Sequence, residues 1–231
     1  MQVAGYKFSK IDEMKNLIIS ILTVLISTQC FSQGSEELVV DEAAKKIFTT
    51  TEMKGIEEMI KFVDGVVSDS TNVADINQAY HAYFEKYKSY VENGFLPALL
   101  KDSIKFKYLE TIDKTAFDAI WRIDDFVRKI RYKDTLLTDI HGFKTLELNY
   151  MGKYLMYLKE IGKTDSRYAA FHETIEITGD FPVSATIYFP SHHHEYDFTL
   201  FKDRLWATVY LLNRGDPSEE KVERYLKKKD Y

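Results

Sequence analysis

The chain has 231 residues, 31 Lys+Arg against 36 Asp+Glu, a formal charge of −5 and 45% apolar residues. With 29% charged residues and four prolines this is the composition of a globular protein rather than a disordered one. The acidic balance argues against a chain that binds nucleic acid through its overall charge.

Met14–Gln33 reads as an export signal. Lys15 supplies the positive end, and Leu17–Ile26 is an apolar run interrupted by Ser20 and Thr23. That run is too short for a bilayer core, which needs about 20 apolar residues. Cleavage after Ser32 would place two small residues, Cys30 and Ser32, at the required positions. Met14 then reads as the start, and 1–13, polar and mixed in charge, as an extension. Gln29 and Ser27 depart from the lipoprotein pattern, so Cys30 is not expected to carry lipid. The mature chain, 33–231, loses the one cysteine and with it any route to a disulfide. No later stretch is apolar for long enough to span a membrane. The expected location is periplasmic or extracellular.

No Gly/Ser/Pro-rich linker or fixed repeat divides 33–231, so it reads as a single all-α, helical-bundle-like domain of about seven or eight helices. Glu36 and Glu37 favour a first helix running to about Phe48. Thr51 is placed to cap a second, whose Met53, Ile56, Met59, Ile60, Val63 and Val67 recur at helical spacing. A third is expected from Val73 to Glu92 with an aromatic face of Tyr80, Tyr83, Phe84 and Tyr87, ended by Asn93-Gly94. Pro97 is placed to open the fourth. Asp113 caps a segment read as helix through Phe117, Ile120, Trp121, Val127 and Ile130, and Phe143–Ile161 reads as another. Further helices are expected over about Phe198–Asn213 and from Asp216-Pro217-Ser218-Glu219 to the C-terminal lysines.

The stretch 173–189 carries two patterns. Ile175 and Ile177, then Val183, Ala185, Ile187 and Phe189, alternate as in a β-hairpin around Gly179-Asp180-Phe181-Pro182. Thr164-Asp165 followed by Tyr168, Phe171 and Ile175 instead reads as a helix ending at Gly179, and this reading is preferred.

Two candidate sites stand out. His172 and Glu176 are one helical turn apart, and His192-His193-His194 holds three of the six histidines; together they would make a Zn ligand set for a metal-dependent hydrolase. On a strand His172 and Glu176 would stand about 13 Å apart, too far for one ion. The second candidate is a partner-binding surface on Tyr80, Tyr83 and Tyr87, since tyrosines favour interfaces with one wet edge. Arg122, Arg128, Lys129, Arg131, Tyr132 and Lys133 form a basic–aromatic mix, read as the solvated end of a helix. There is no G-x-S-x-G, P-loop or G-x-G-x-x-G. Asp124 and Asp125 would point about 100° apart on a helix and form no acid–base pair. The leading reading is therefore a non-enzymatic exported protein, without cofactor, that binds a protein or polymer of the cell envelope.

Overall fold

The computed structural model describes residues 38–93, 97–181 and 183–229. Contacts divide the chain into Met1–Leu38 and Val39–Tyr231, and every element below belongs to the second unit. The expected export signal, the extension before it and Cys30 lie outside the described residues.

The described residues form ten α-helices and one two-stranded antiparallel hairpin. The all-α expectation with a small hairpin therefore holds. Helix α1 (Glu42–Ile47) starts at Asp41, whose carboxylate accepts from the Ala44 N–H at 2.8 Å. Leu38–Val40 before it are not helical. Helix α2 (Thr50–Thr71) is capped by Thr49 rather than Thr51, because only Thr49 has an acid at the third helical position. Thr49 and Glu52 then satisfy each other's backbone N–H groups reciprocally. Asn72, at φ 55°, ends the helix.

Helix α3 (Ile76–Glu92) begins three residues later than expected, where Asp75 accepts from the Gln78 N–H. Pro97 does not open a helix; α4 spans Asp102–Leu109. Asp113 does cap α5 (Lys114–Ile120), accepting from Thr115 and Ala116. Then come β1 (Trp121–Tyr132) and β2 (Thr135–Leu148), followed by α6 (Lys153–Ile161), α7 (Ser166–Thr178), α8 (Val183–Ser191) and a single 3₁₀ turn at His193–Glu195. Helices α9 (Phe201–Asn213) and α10 (Ser218–Lys229) complete the unit. Among the described residues no helix is long and apolar enough to cross a membrane.

The hairpin is where pattern and structure part. It occupies 121–148, which the helical spacing of Ile120, Ile123, Val127 and Ile130 had suggested was helix. The segment 173–189, where a hairpin competed with helix, is α7 and α8, with Gly179 at φ 78° as expected. Two features divert 121–148. Trp121, Ile123, Phe126, Val127, Ile130 and Tyr132 are aromatic or β-branched, types that suit a pleated surface. Lys133, at φ 52°, closes a tight turn between the paired Tyr132 and Thr135. A bulge between Asp124 and Phe126 breaks the period of two, and Asp139 and Gly142 also take positive φ. The resulting irregular spacing imitates a helix.

The core is built around α9, where every residue from Leu205 to Leu212 is buried. Against it pack the apolar stripe of α2 (Ile56, Met59, Ile60, Val63, Val67), the aromatic face of α3, and Tyr154, Tyr157, Tyr168, Phe171, Phe189 and Phe198. Gly55 lets α2 and α5 touch: a Cβ there would sit 2.4 Å from that of Ala116. The base of the hairpin is tied in by buried Trp121 and Leu148 and by the Asn149 N–H donating to the Ile120 carbonyl at 2.8 Å.

Candidate functional site

Two of the three tyrosines expected as a binding surface, Tyr80 and Tyr83, are core residues. Tyr80 is 0% exposed and Tyr83 2%; only Tyr87 is half-buried, its ring 4.8 Å from that of Tyr83. Spacings of three and four put Tyr80, Tyr83 and Phe84 on the face α3 turns inward. The Tyr80 hydroxyl finds its partner inside the protein, donating to Asp64 Oδ1 at 2.9 Å.

That carboxylate is the centre of a buried ion pair which the sequence did not signal. Arg204 of α9 donates from Nε and Nη2 to both oxygens of Asp64 on α2, at 2.6–3.1 Å. Burial raises the Asp64 carboxyl above its ordinary value, while Arg204 and then Tyr80 pull it down. A second network ties α7 to α9: the Tyr168 hydroxyl and the Asp197 N–H donate to Asp203, and Asp165 binds Arg167 and Lys202. The Arg167 hydrogen bond, helped by Lys202, holds Asp165 well below the usual carboxylate range. These groups satisfy one another and join helices, as buried polar groups must.

The histidine candidates are not gathered. His172 Nδ1 lies 3.8 Å from Glu176 Oε2, a pair within α7. His192 stacks on Tyr188 at 4.0 Å, its Nδ1 2.9 Å from the Tyr188 carbonyl oxygen. His193 turns to α3, placing Nδ1 2.9 Å from His81 Nδ1 and Nε2 3.4 Å from Glu85 Oε2. His194 is exposed. Among the described residues no group of three or more His, Cys, Asp or Glu is arranged to hold a metal ion. The ligand set His172, Glu176, His192, His193 and His194 therefore does not assemble there, because consecutive side chains on a short turn diverge to different neighbours.

His81, hidden in the tyrosine-rich segment, does have a consequence. Its contact with His193 needs one nitrogen to donate and the other to accept, so the accepting ring must be neutral and protonation of both rings breaks the bond. Desolvation first, then His193 and His194, lower His81, against a pull from Asp197. Desolvation also lowers His193, with Glu85 opposing and His194 and Lys88 assisting. A lowered folded-state pKa contributes stability present above the unfolded value of 6.5 and lost as pH falls through the folded one. Unfolding titrations should show stability declining as the pH is lowered from 7, and His81→Gln should flatten that decline. An unchanged slope in H81Q would contradict the assignment.

The remaining candidate is the hairpin. One side of it packs under α10: Val127, Ile130, Tyr132, Leu137, Ile140 and Phe143 meet Val222, Tyr225 and Leu226. Helix α10 is held by Lys221 on Asp102 at 2.9 Å and Arg224 on Asp216 at 2.7 Å. Asp216 meets Arg224 and the Asp102 N–H, and α10 begins at Ser218, one residue after the Pro217 start that the sequence suggested. Tyr132 donates to Glu223 at 2.8 Å. The other side of the distal half carries the cross-strand pairs Lys129↔Thr138 and Arg131↔Leu136, all exposed. Phe126 and Leu136 are 40% and 53% exposed. Among the described residues no acid lies within ion-pair distance of Arg128, Lys129 or Arg131. The basic–aromatic mix expected at a helix end is thus a strand.

No protein-family model, curated protein or solved structure matches this chain. Its function has to be read from the arm and the body that carries it.

Proposed function

We propose that this chain is an exported, non-enzymatic binding protein whose helical body holds the β1–β2 hairpin out to a protein or polymer of the cell envelope. The observation that supports it is the contrast between the two sides of the hairpin. One is braced by α10; the other presents exposed Leu136, Lys129 and Arg131, and Phe126 stands exposed at the proximal end of the strip. Large apolar and Arg side chains are the types that carry binding energy at interfaces. Bracing by α10 reduces the ordering cost of an encounter, since the arm need not fold on arrival. The apolar run Leu17–Ile26 behind Lys15 supports the export half of the reading.

A photo-crosslinking amino acid placed at Phe126 or Leu136 in the whole chain, in its native cells, tests it. A discrete adduct should form from each position in the envelope fraction, on protein whose N-terminus lies at or near Gln33. The same probe at Ile177, exposed on α7, should give none. Equal labelling from all three positions, or an N-terminus at Met1 with the protein in the cytoplasm, would overturn the reading.

A further inference from the structure

We propose that the hairpin binds an acidic, extended peptide segment of a partner protein, added as a third strand along the free edge of β1. This rests on the binding reading above and names the partner's chemistry.

Three observations converge on that edge. First, among the described residues the backbone of β1 beyond Phe126, whose N–H donates to Asp124 Oδ1 at 3.0 Å, is paired with β2 alone, which leaves a row of N–H and C=O groups open to another strand. Second, Phe126–Arg131 carries three cations, Arg128, Lys129 and Arg131, and no acid. Asp139 falls between the pairs Val127↔Ile140 and Lys129↔Thr138 yet makes no ion pair with Arg128. Lys133 is different, lying near Glu219 and Glu223 of α10, and is left out of the strip. The acids of β1, Asp124 and Asp125, sit at the bulge at the proximal end. Third, exposed Phe126 offers an apolar anchor on the face it shares with Arg128.

The charge decides which strand fits. Two copies of β1 set edge to edge would oppose Arg and Lys with Arg and Lys, and like charges across a ladder destabilise it. The edge is thus closed to its own copy. A segment with Glu or Asp at alternate positions would instead place carboxylates beside Lys129 and Arg131, which share one face, while its backbone completes the ladder. Main-chain pairing would supply affinity, and the alternating carboxylates specificity. A folded anionic surface could use the cations but would leave the backbone edge unused.

The test uses the whole chain and three labelled peptides of about ten residues, the length of a strand. One alternates Glu with Val, one alternates Gln with Val, and one is the Glu peptide with alternate backbone nitrogens methylated. Fluorescence anisotropy should show the Glu peptide binding, with the Gln peptide weaker by about tenfold or more. Raising ionic strength from about 0.05 M to about 0.5 M should weaken the Glu peptide by about tenfold. The methylated peptide should not bind. The double variant K129E/R131E, changed only at exposed positions and checked by circular dichroism, should prefer a Lys–Val peptide to the Glu–Val one. Undiminished binding by the methylated peptide would overturn the strand-addition model. So would uptake of inorganic polyphosphate or phosphatidylglycerol vesicles without binding of the Glu peptide, or no binding of any probe. If crosslinks form at Phe126 in cells but the peptides fail, only the acidic-strand assignment falls. If no crosslinks form, the binding reading itself falls.

Discussion

Replacing Asp64 by Ala is expected to lower the unfolding free energy by about 3–5 kcal/mol, the cost of breaking a buried ion pair by removing one partner. Arg204 would be left with its guanidinium inside the protein and its Asp64 bonds gone. Arginine cannot escape by losing its proton. Tyr80 would lose its acceptor at the same time. For a protein of this size the melting temperature should fall by about 10 °C. The reverse substitution, Arg204→Met, should be milder. Burial already raises the Asp64 carboxyl, so an unpaired Asp64 can take up a proton and stay neutral beside the Tyr80 hydroxyl. A carboxyl raised in the folded state contributes stability at low pH that is lost as pH rises. R204M should therefore approach the wild type as the pH is lowered from 7 towards 5, whereas D64A should not. Denaturant titrations at both pH values measure this. A D64A protein within about 1 kcal/mol of wild type would show that the pair is not the keystone of the α2–α9 contact.

Trp206→Ala should cost about 3–5 kcal/mol, as expected for a large aromatic removed from a close-packed interior. The ring stacks on Phe171 at 4.0 Å with an interplanar angle of 10°. Phe181, Tyr168 and Phe189 lie around it at 5.2, 6.2 and 6.0 Å. Three segments, α7, the loop at Phe181 and α8, thus converge on one side chain of α9, and collapse around the void would have to move all three. Its indole N–H donates to no protein group among the described residues, so Trp206→Phe forfeits area but no hydrogen bond. W206F should cost less than about 2 kcal/mol. Denaturant titration compares the two. Equal losses in W206A and W206F would mean that the edge of the indole, not the ring stack, supports the site.

Both effects arise where side chains meet across long sequence separations, and there the sequence was least legible. Asp64 interrupts an otherwise apolar stripe between Val63 and Val67, a visible anomaly, but nothing local pointed to Arg204 as its partner. Tyr80 and Tyr83 show the same limit. Their spacing placed them correctly on one face of α3; whether that face met water or another helix was not a local property. The histidines failed differently. Their proximity in sequence suggested convergence, while His192, His193 and His194 turn to Tyr188, to α3 and to solvent.

The sequence by itself determined the helical class, the cap of α5 at Asp113, the stop of α7 at Gly179 and the apolar stripe of α2, because each depends on backbone and side chains within a turn or two of one another. Only the tertiary structure decided that 121–148 is a hairpin and that its basic residues form an open strand edge. Irregular apolar spacing across a bulge satisfies a helix about as well as a strand, and strand pairing is settled by contacts with β2 and α10 that no short window contains.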